Sequence, residues 1–244
     1  MKRNPIEIGV DVSDKTNYGF NGRKLFLITA LLMLSVGIAA AQQQHEYVDL
    51  GLPSGTLWAT CNVGANNPED YGDFFAWGET TTKEGFFIPN YKYANGEYKK
   101  VTKYCPKKKN GVNGYTDNLT TLESSDDAAS TNWGSGWCMP TQQQFQELAD
   151  KCTWTQTTQN GKNGFEIKGP NGNSIFLPAA GRYNGKALIG DGTDGYYWSS
   201  ELNIDRPYNA RSLDINPISG NLGVMPFMED HRSVGRPVRP VWSK

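Results

Sequence analysis

The chain has 244 residues, with 24 Lys or Arg, 25 Asp or Glu and a formal net charge of −1. This length corresponds to one large domain or two small ones. The charge balance gives no reason to expect a nucleic-acid partner, because such binding needs clustered Lys and Arg that displace counterions. The one basic run, "KKVTKYCPKKK" at residues 99–109, lies among turn-forming residues and is interpreted as a solvated loop.

The N-terminal region has the pattern of an export signal. Arg23 and Lys24 precede an apolar stretch, residues 25–41, which ends in three alanines, the small-x-small pattern that signal peptidase recognises. We predict that residues 1–41 are an N-terminal extension and signal peptide. Residues 42–244 are then one exported domain without a membrane span, located in the periplasm, at the cell surface or outside the cell. The alternative is a retained anchor, because the stretch is just long enough to span a bilayer.

The mature region predicts short strands and one firm helix. Apolar segments at residues 55–63 and 72–79 predict strands, and residues 125–130 predict a short helical turn. The firm helix follows Pro140. Thr141 and Gln144 have the spacing of a capping box, and four residues then share one helical face, namely Phe145, Leu148, Ala149 and Cys152.

The second half of the chain predicts further strands. "GFEIKGPNGNSIFLPAAG", residues 164–181, predicts a hairpin with its turn at residues 170–173. The C-terminal "SVGRPVRPVW" alternates Val234, Val238 and Val241 with other residues. The pattern predicts an α+β fold in a single domain, with long Gly- and Asn-rich loops.

The cysteine count predicts disulfides. In an exported chain four cysteines allow three pairings, and the sequence does not choose among them. Their spacing is not that of a zinc site, and His45 and His231 lie near opposite ends of the mature region, so we expect no metal and no cofactor. The cysteines are Cys61, Cys105, Cys138 and Cys152.

Several phrases occur together in one order along the mature region. They are "YVDLGLPSGTLWATCNVGA", "PEDYGDFFAWGET", "DDAASTNWGSGWCMPTQQQFQEL", "GNSIFLPAAG", "GYYWSS" and "GRPVRPV". In this the chain resembles the Fibrobacter succinogenes major paralogous domain family of exported bacterial proteins. The resemblance covers nearly all of the mature region.

The resemblance implies a C-type-lectin-like fold, akin to that of formylglycine-generating enzymes and phage receptor-binding proteins. In such folds the N- and C-terminal strands pair, one or two helices pack on small antiparallel sheets, and long loops present a ligand surface. The resemblance also places Tyr196, Tyr197 and Trp198 on a core strand, with Trp198 buried.

No catalytic or metal signature accompanies the resemblance. The formylglycine-generating relatives hold copper with two thiolates in the C-terminal half, whereas the last cysteine here is Cys152, so we expect no enzyme activity. His231 in "MEDHRSVG" is interpreted as part of a charged loop. Asp191, Asp194 and Asp205 are the residues that calcium would use, but the sugar-coordinating "EPN" and "WND" triplets of calcium-dependent lectins are absent.

The candidate ligand surface follows the aromatic run "YYW". This stretch mixes charged, amide and aromatic residues, and Tyr and Arg are enriched at binding hot spots. Later in the chain, an exposed Met or Phe would be unfavourable unless it packs or binds. The predicted ligand-binding residues are Glu201, Asn203, Asp205, Arg206, Tyr208, Arg211, Asn221 and Met225.

The sequence therefore predicts an exported, non-catalytic binding module of the adhesin or receptor type. Its expected partner is a glycan or a protein at a cell surface. The alternative is a structural or assembly component of a surface fibre or complex.

Overall fold

The computed structural model describes residues 45–218 and 221–242, and the predicted signal segment lies outside these ranges. The described chain contains small antiparallel sheets, two α-helices and three short 3-10 helices. This confirms the α+β class. The 3-10 helices are Ile88–Asn90, Lys108–Asn110 and Val112–Gly114.

The first and last strands of the described chain share one four-stranded sheet, in the order β1–β2–β14–β4. Val241 of the last strand lies opposite Trp58 on one side and Cys138 on the other. The two ends of the described chain are thereby held together in one sheet. The four strands are β1 (Tyr47–Asp49), β2 (Leu57–Ala59), β4 (Trp137–Cys138) and β14 (Val241–Trp242).

A second sheet has the order β10–β11–β12, so β12 is an edge strand. Its strands are β10 (Gly195–Leu202), β11 (Asn209–Ile218) and β12 (Asn221–His231). Residues 203–208 connect β10 to β11. The register of β11 and β12 shifts between Ser212 and Asp214, which marks a bulge in the hairpin.

The remaining strands form one three-stranded sheet and two strand pairs. The predicted hairpin of residues 164–181 is confirmed, because β6 and β7 pair antiparallel with Gly164 opposite Pro178. The sheet is β5 (Thr153–Gln159), β6 (Lys162–Lys168) and β7 (Ser174–Pro178). The pairs are β3 (Phe74–Phe75) with β13 (Arg236–Pro237), and β8 (Arg182–Asn184) with β9 (Ala187–Ile189).

The firm helix is confirmed as Gln142–Lys151, and it begins with the predicted capping box of Thr141 and Gln144. The shorter helix is Ala128–Trp133, three residues later than the predicted turn began. The difference arises because Asp127 caps this helix, accepting hydrogen bonds from the N–H groups of Ala129 and Ser130 at 2.8 and 3.0 Å. Burial raises the pKa of the Asp127 carboxyl above its ordinary value.

The aromatic run lies in the core as the resemblance implied. Tyr197 and Trp198 are fully buried, while Tyr196 is half-buried. The Trp198 indole donates to the Phe75 carbonyl at 2.9 Å, and the Tyr197 hydroxyl donates to the Pro178 carbonyl at 2.6 Å. These bonds satisfy the polar atoms of the two rings inside the core.

All four cysteines are free thiols, so none of the three possible pairings is present. The Cys105 thiol contacts the Lys107 carbonyl at 3.3 Å, and the Cys138 thiol contacts the Val241 carbonyl at 3.9 Å. Burial raises the pKa of Cys138 and of Cys152 to about 11. These thiols therefore act as small apolar side chains at the edge of the core.

The "HRSVGRPVRPV" segment places three arginines inside the molecule, because Arg232, Arg236 and Arg239 are each at most 1% exposed. Arg239 has no carboxylate partner within the described ranges. Its guanidinium donates instead to the Asn62 side chain and to the carbonyls of Ala59, Thr60 and Phe176. Burial lowers the pKa of Arg239 to about 10. The arginines thus join distant segments of backbone.

Candidate functional site

Two loops, residues 98–107 and 203–208, meet above the buried side chain of Arg232. The Arg232 guanidinium donates through Nη1 to the Lys103 carbonyl at 3.0 Å and to the Pro207 carbonyl at 2.9 Å. One nitrogen therefore holds both loops. The backbone N–H of Arg232 also donates to the Tyr208 carbonyl at 3.1 Å.

Aromatic rings stabilise the charge of Arg232. The guanidinium carbon lies between 4.8 and 5.7 Å from four ring centroids, and the Nε group donates to the Tyr91 hydroxyl at 2.8 Å. Within residues 45–218 and 221–242, no carboxylate lies within 4.0 Å of it. Ring faces attract a cation, which offsets part of the cost of its burial. The rings are those of Trp77, Tyr91, Tyr93 and Tyr104.

An exposed tyrosine is fixed at the junction of the loops. The Tyr98 ring stacks on the buried His231 ring at 4.5 Å and 17°, yet Tyr98 is 54% exposed. The Tyr208 ring lies 6.0 Å from Tyr98. One face of Tyr98 is thus packed, and much of the ring remains open to solvent.

His231 is held in its neutral form by burial, and its hydrogen bonds define the tautomer. Its Nδ1 accepts from the Ser233 backbone N–H at 3.3 Å, which leaves the proton on Nε2 to be donated to the Tyr98 carbonyl at 2.8 Å. Burial lowers the pKa of His231 below its ordinary value. The ring therefore supports Tyr98 both by stacking and by a hydrogen bond to its backbone.

Charged residues surround the two tyrosines. Arg206 pairs with Glu229 at 2.7 Å, and Lys107 pairs with Asp205 at 3.0 Å. The hydrogen bond from Lys107 lowers the pKa of Asp205. We call this region the two-loop surface and define it as Tyr98, Lys99, Lys107, Asp205, Arg206, Tyr208, Arg211 and Glu229.

Four of the predicted ligand-binding residues come together at the two-loop surface, namely Asp205, Arg206, Tyr208 and Arg211. Glu201 and Asn203 do not belong to this surface and instead support it through hydrogen bonds to the backbone. The Glu201 carboxylate accepts the backbone N–H of Gln142 at the start of the long helix, at 2.7 Å. Asn203 is 2% exposed, and its side-chain oxygen accepts the N–H groups of Asp205 and Arg206. Glu201 thus caps a helix, and Asn203 forms the turn that presents the loop.

Asn221 and Met225 lie elsewhere on the hairpin. Along β12 they are eight and four positions from Glu229, the member of the two-loop surface on this strand, a separation of about 26 and 13 Å at roughly 3.3 Å per residue. Asn221 is exposed and Met225 is half-buried. The structure therefore does not bring them to the two-loop surface.

Sequence reasoning missed half of the two-loop surface, because Tyr98 was not singled out, Lys99 and Lys107 were assigned to a solvated loop, and Glu229 was assigned to a charged one. Tyr98 and Tyr208 are 110 positions apart, and no local pattern links them. The one available signal was the concentration of lysines beside a tyrosine.

Two grooves lie outside the two-loop surface. One, of about 460 Å³, has the rings of Phe74, Phe86 and Tyr183 in its wall with Asp73, Glu84 and Lys186 near them. The other, of about 370 Å³, has a mixed lining of apolar side chains and hydroxyl groups, including those of Thr157, Thr158 and Ser174. Neither contains a residue predicted to bind ligand.

The described residues were compared with the requirements of a metal site and of a membrane-spanning helix. There, no three His, Cys, Asp or Glu side chains are grouped so that they could hold a metal ion. The Asp194 carboxylate accepts the Tyr196 hydroxyl at 2.9 Å. None of the helices in these ranges has the length and apolar character needed to cross a membrane.

Comparisons with known proteins give no relative. No family model, no curated protein and no solved structure matches this chain. The fold thus defines an α+β protein of small antiparallel sheets, and function is inferred from the two-loop surface.

Proposed function

We propose that this chain is an exported, non-catalytic binding module of the adhesin or receptor type, which contacts its ligand through the two-loop surface. The sequence motifs support membership of the Fibrobacter succinogenes major paralogous domain family. The sheet shared by β1, β2 and β14, the long helix and the extended loops are compatible with its C-type-lectin-like scaffold. Fold alone does not fix function, so the surface carries the proposal.

The central observation is the fixed and exposed Tyr98. A large ring that is already immobilised loses little conformational entropy when a ligand binds, so more of its contact energy contributes to affinity. Arg206, Asp205 and Tyr208 beside it offer hydrogen-bond donors, acceptors and a second ring. A sugar ring or a peptide segment presents the apolar faces and polar groups that such a surface contacts.

The alternative of a hydrolase is disfavoured by burial. Ser233 and His231 are in contact at 2.8 Å, as a nucleophile and its base would be. However, they are only 5% and 7% exposed, and both His231 nitrogens are occupied by Ser233 and Tyr98. A substrate has no access to this pair.

The test is a binding screen of the full chain, purified in mild detergent, against a glycan array and a panel of extracellular-matrix proteins, with calcium and again with EDTA. We expect Tyr98→Ala and Tyr208→Ala to weaken the binding found about tenfold or more, since hot-spot truncation removes at least 1.4 kcal/mol, roughly. Tyr47→Ala is the matched control, because Tyr47 is 51% exposed but lies on β1. Loss only in Tyr47→Ala would place the site elsewhere.

A second candidate function, an assembly component, is favoured by the edge strand β12. Phe227 and Met228 on this strand are 53% and 38% exposed. Edge strands present unpaired backbone groups to other chains, and exposed apolar residues favour that pairing. Light scattering would then show oligomers that Phe227→Ser and Met228→Ser dissociate. A monomer at all concentrations would exclude self-assembly through β12.

A further inference from the structure

We propose that the ligand of the two-loop surface is an anionic polysaccharide. Its sugar rings stack on Tyr98 and Tyr208, and its acidic groups pair with lysines next to them. This inference rests on the proposed function and specifies the ligand class of the same site.

The first argument is a local excess of positive charge. Residues 97–109 contain six lysines and one glutamate, although the whole chain has a net charge of −1. Lys103 is neutralised by Asp126 at 2.6 Å, and Lys107 by Asp205 at 3.0 Å. The other four lysines have no carboxylate within 4.0 Å in the described part of the chain, and they are Lys99, Lys100, Lys108 and Lys109.

The fold brings these four lysines together. The Lys100 ammonium donates to the Lys109 carbonyl at 3.0 Å, and the Asn110 side chain donates to the Lys99 carbonyl at 3.2 Å. The N–H of Val101 donates to the Asn110 carbonyl at 2.8 Å. The backbone of residues 99–101 therefore lies beside that of residues 109–110. This arrangement holds lysines of like charge near one another.

Lys99 adjoins both the exposed Tyr98 and the half-buried Tyr208. Lys99 follows Tyr98 directly, and its ammonium lies 5.8 Å from the Tyr208 ring centroid. Arg211 on β11 also has no ion-pair partner within 4.0 Å among residues 45–218 and 221–242, although it lies opposite Glu229 in the hairpin. A polymer that stacks on the rings thus lies near the unpaired Lys99 ammonium.

The acceptors at the surface favour a polysaccharide over a nucleic acid. Asp205, whose side chain is 86% exposed, places a carboxylate among the cations, whereas the Glu229 carboxylate is largely buried against Arg206. Carboxylates accept hydrogen bonds from sugar hydroxyls, which a polysaccharide presents along its whole length. They repel phosphates, which a nucleic acid presents at every nucleotide. The mixture of rings, cations and acceptors matches hydroxyl-rich chains that carry separated acidic groups.

The experiment compares four polymers on the full chain in mild detergent: hyaluronan, which carries carboxylates only, heparin, which also carries sulfates, neutral dextran, and a short DNA duplex. We expect binding to hyaluronan or heparin and none to dextran, and the two anionic arms separate carboxylate from sulfate recognition. Raising NaCl from about 50 to about 500 mM shortens the Debye length from roughly 14 to roughly 4 Å, and should weaken binding about tenfold or more.

A matched pair of triple variants locates the charge effect. Lys99→Gln with Lys108→Gln and Lys109→Gln should lower affinity about tenfold or more. Lys162→Gln with Lys168→Gln and Lys186→Gln removes the same charge from exposed lysines elsewhere and should stay within about twofold. Thermal unfolding of both variants checks that these surface changes leave the fold intact.

The outcomes separate the two proposals. Suppose that dextran binds, that Tyr98→Ala abolishes this binding, and that the triple variant with Lys99→Gln (the Lys99 triple variant) leaves it intact. This result would overturn the anionic ligand and support the site. DNA binding as tight as polysaccharide binding would overturn the ligand class. Polysaccharide binding that survives both Tyr98→Ala and the Lys99 triple variant would overturn the site as well. No binding to any of the four polymers overturns this inference, and the matrix-protein panel then decides the proposed function.

Discussion

At the scale of single residues, the guanidinium of Arg232 decides where the two loops of the candidate site lie. The loops come from distant parts of the chain and share the Nη1 group as a hydrogen-bond donor. Because this donor is buried, its removal leaves buried carbonyl groups without their protein partner, which is unfavourable. Arg232 touches no ligand in our proposal and acts by positioning Tyr98 and Tyr208.

We expect Arg232→Lys to lower the free energy of unfolding by about 3 kcal/mol, because an ammonium cannot reach the Tyr91, Lys103 and Pro207 oxygens together and leaves buried acceptors unpaired. Urea denaturation measures this. Arg206→Lys is the control, since the Arg206 side chain is largely exposed and a lysine keeps the charge beside Glu229, so stability should change by less than about 1 kcal/mol. Equal effects of the two variants would contradict the positioning role.

His231 should make stability depend on pH. Its pKa is lowered in the folded state, so between that pKa and about 6.5 the unfolded chain binds more protons. The free energy of unfolding is therefore highest above about pH 6.5 and falls as pH drops through this window. Denaturation between about pH 7 and pH 5 should show a smaller fall in His231→Asn than in the unmodified chain. The fall in His231→Asn is compared with the fall in His45→Asn, because burial also lowers the pKa of His45. An unchanged slope in His231→Asn would contradict the prediction.

At the scale of elements, the long helix is tied to the candidate site through its first turn. Thr141 and Gln144 satisfy the N-terminal N–H groups locally, and Glu201 adds a carboxylate from β10. A negative charge at a helix N-terminus is favourable, because it faces the positive end of the helix dipole. Glu201 thus connects the helix to the strand that leads into the loop of residues 203–208.

We expect Thr141→Ala and Glu201→Gln each to lower the free energy of unfolding by about 1 kcal/mol, because each removes a cap. Ligand affinity should stay within about twofold, since Glu201 faces the helix. Gln143→Ala, an exposed change in the same helix, serves as the control. If Glu201→Gln reduced affinity without changing stability, Glu201 would belong to the ligand surface after all.

At the scale of the whole molecule, buried arginines connect sheets that local sequence leaves separate. Arg236 of β13 pairs with Asp214 of β11 at 2.6 Å and with Asp230 of β12 at 2.7 Å. Its ring contacts are with Tyr196 and Trp198 of β10. One side chain therefore joins the strand pair β3–β13 to all three strands of the second sheet.

Arg236→Leu should lower the free energy of unfolding by about 3 to 5 kcal/mol, because it leaves buried carboxylates without their main partner. Adding Asp214→Asn should recover part of the loss by removing one of those charges. Chemical denaturation of both variants provides the measurement. A change below about 1 kcal/mol in Arg236→Leu would show that the network is not structural.

Local sequence predicted the elements whose signals lie within a few residues. The capping box fixed the start of the long helix, and the turn at residues 170–173 fixed the hairpin of β6 and β7. The short helix begins later than predicted because Asp127 is its cap. The buried Asp127 carboxylate also accepts the N–H of Met139, twelve residues away, at 2.8 Å. Propensity alone does not contain that contact.

The sequence by itself determined the α+β class and four of the residues at the two-loop surface, because these follow from local periodicity and residue chemistry, and the family resemblance implied the core strand of Tyr197 and Trp198. Only the tertiary structure decided that Tyr98 and Lys99 join them, and that Asn221 and Met225 do not. Long-range hydrogen bonds from Arg232 and the length of the β11–β12 hairpin set those positions. Each depends on packing between residues far apart in the chain, which no local pattern encodes.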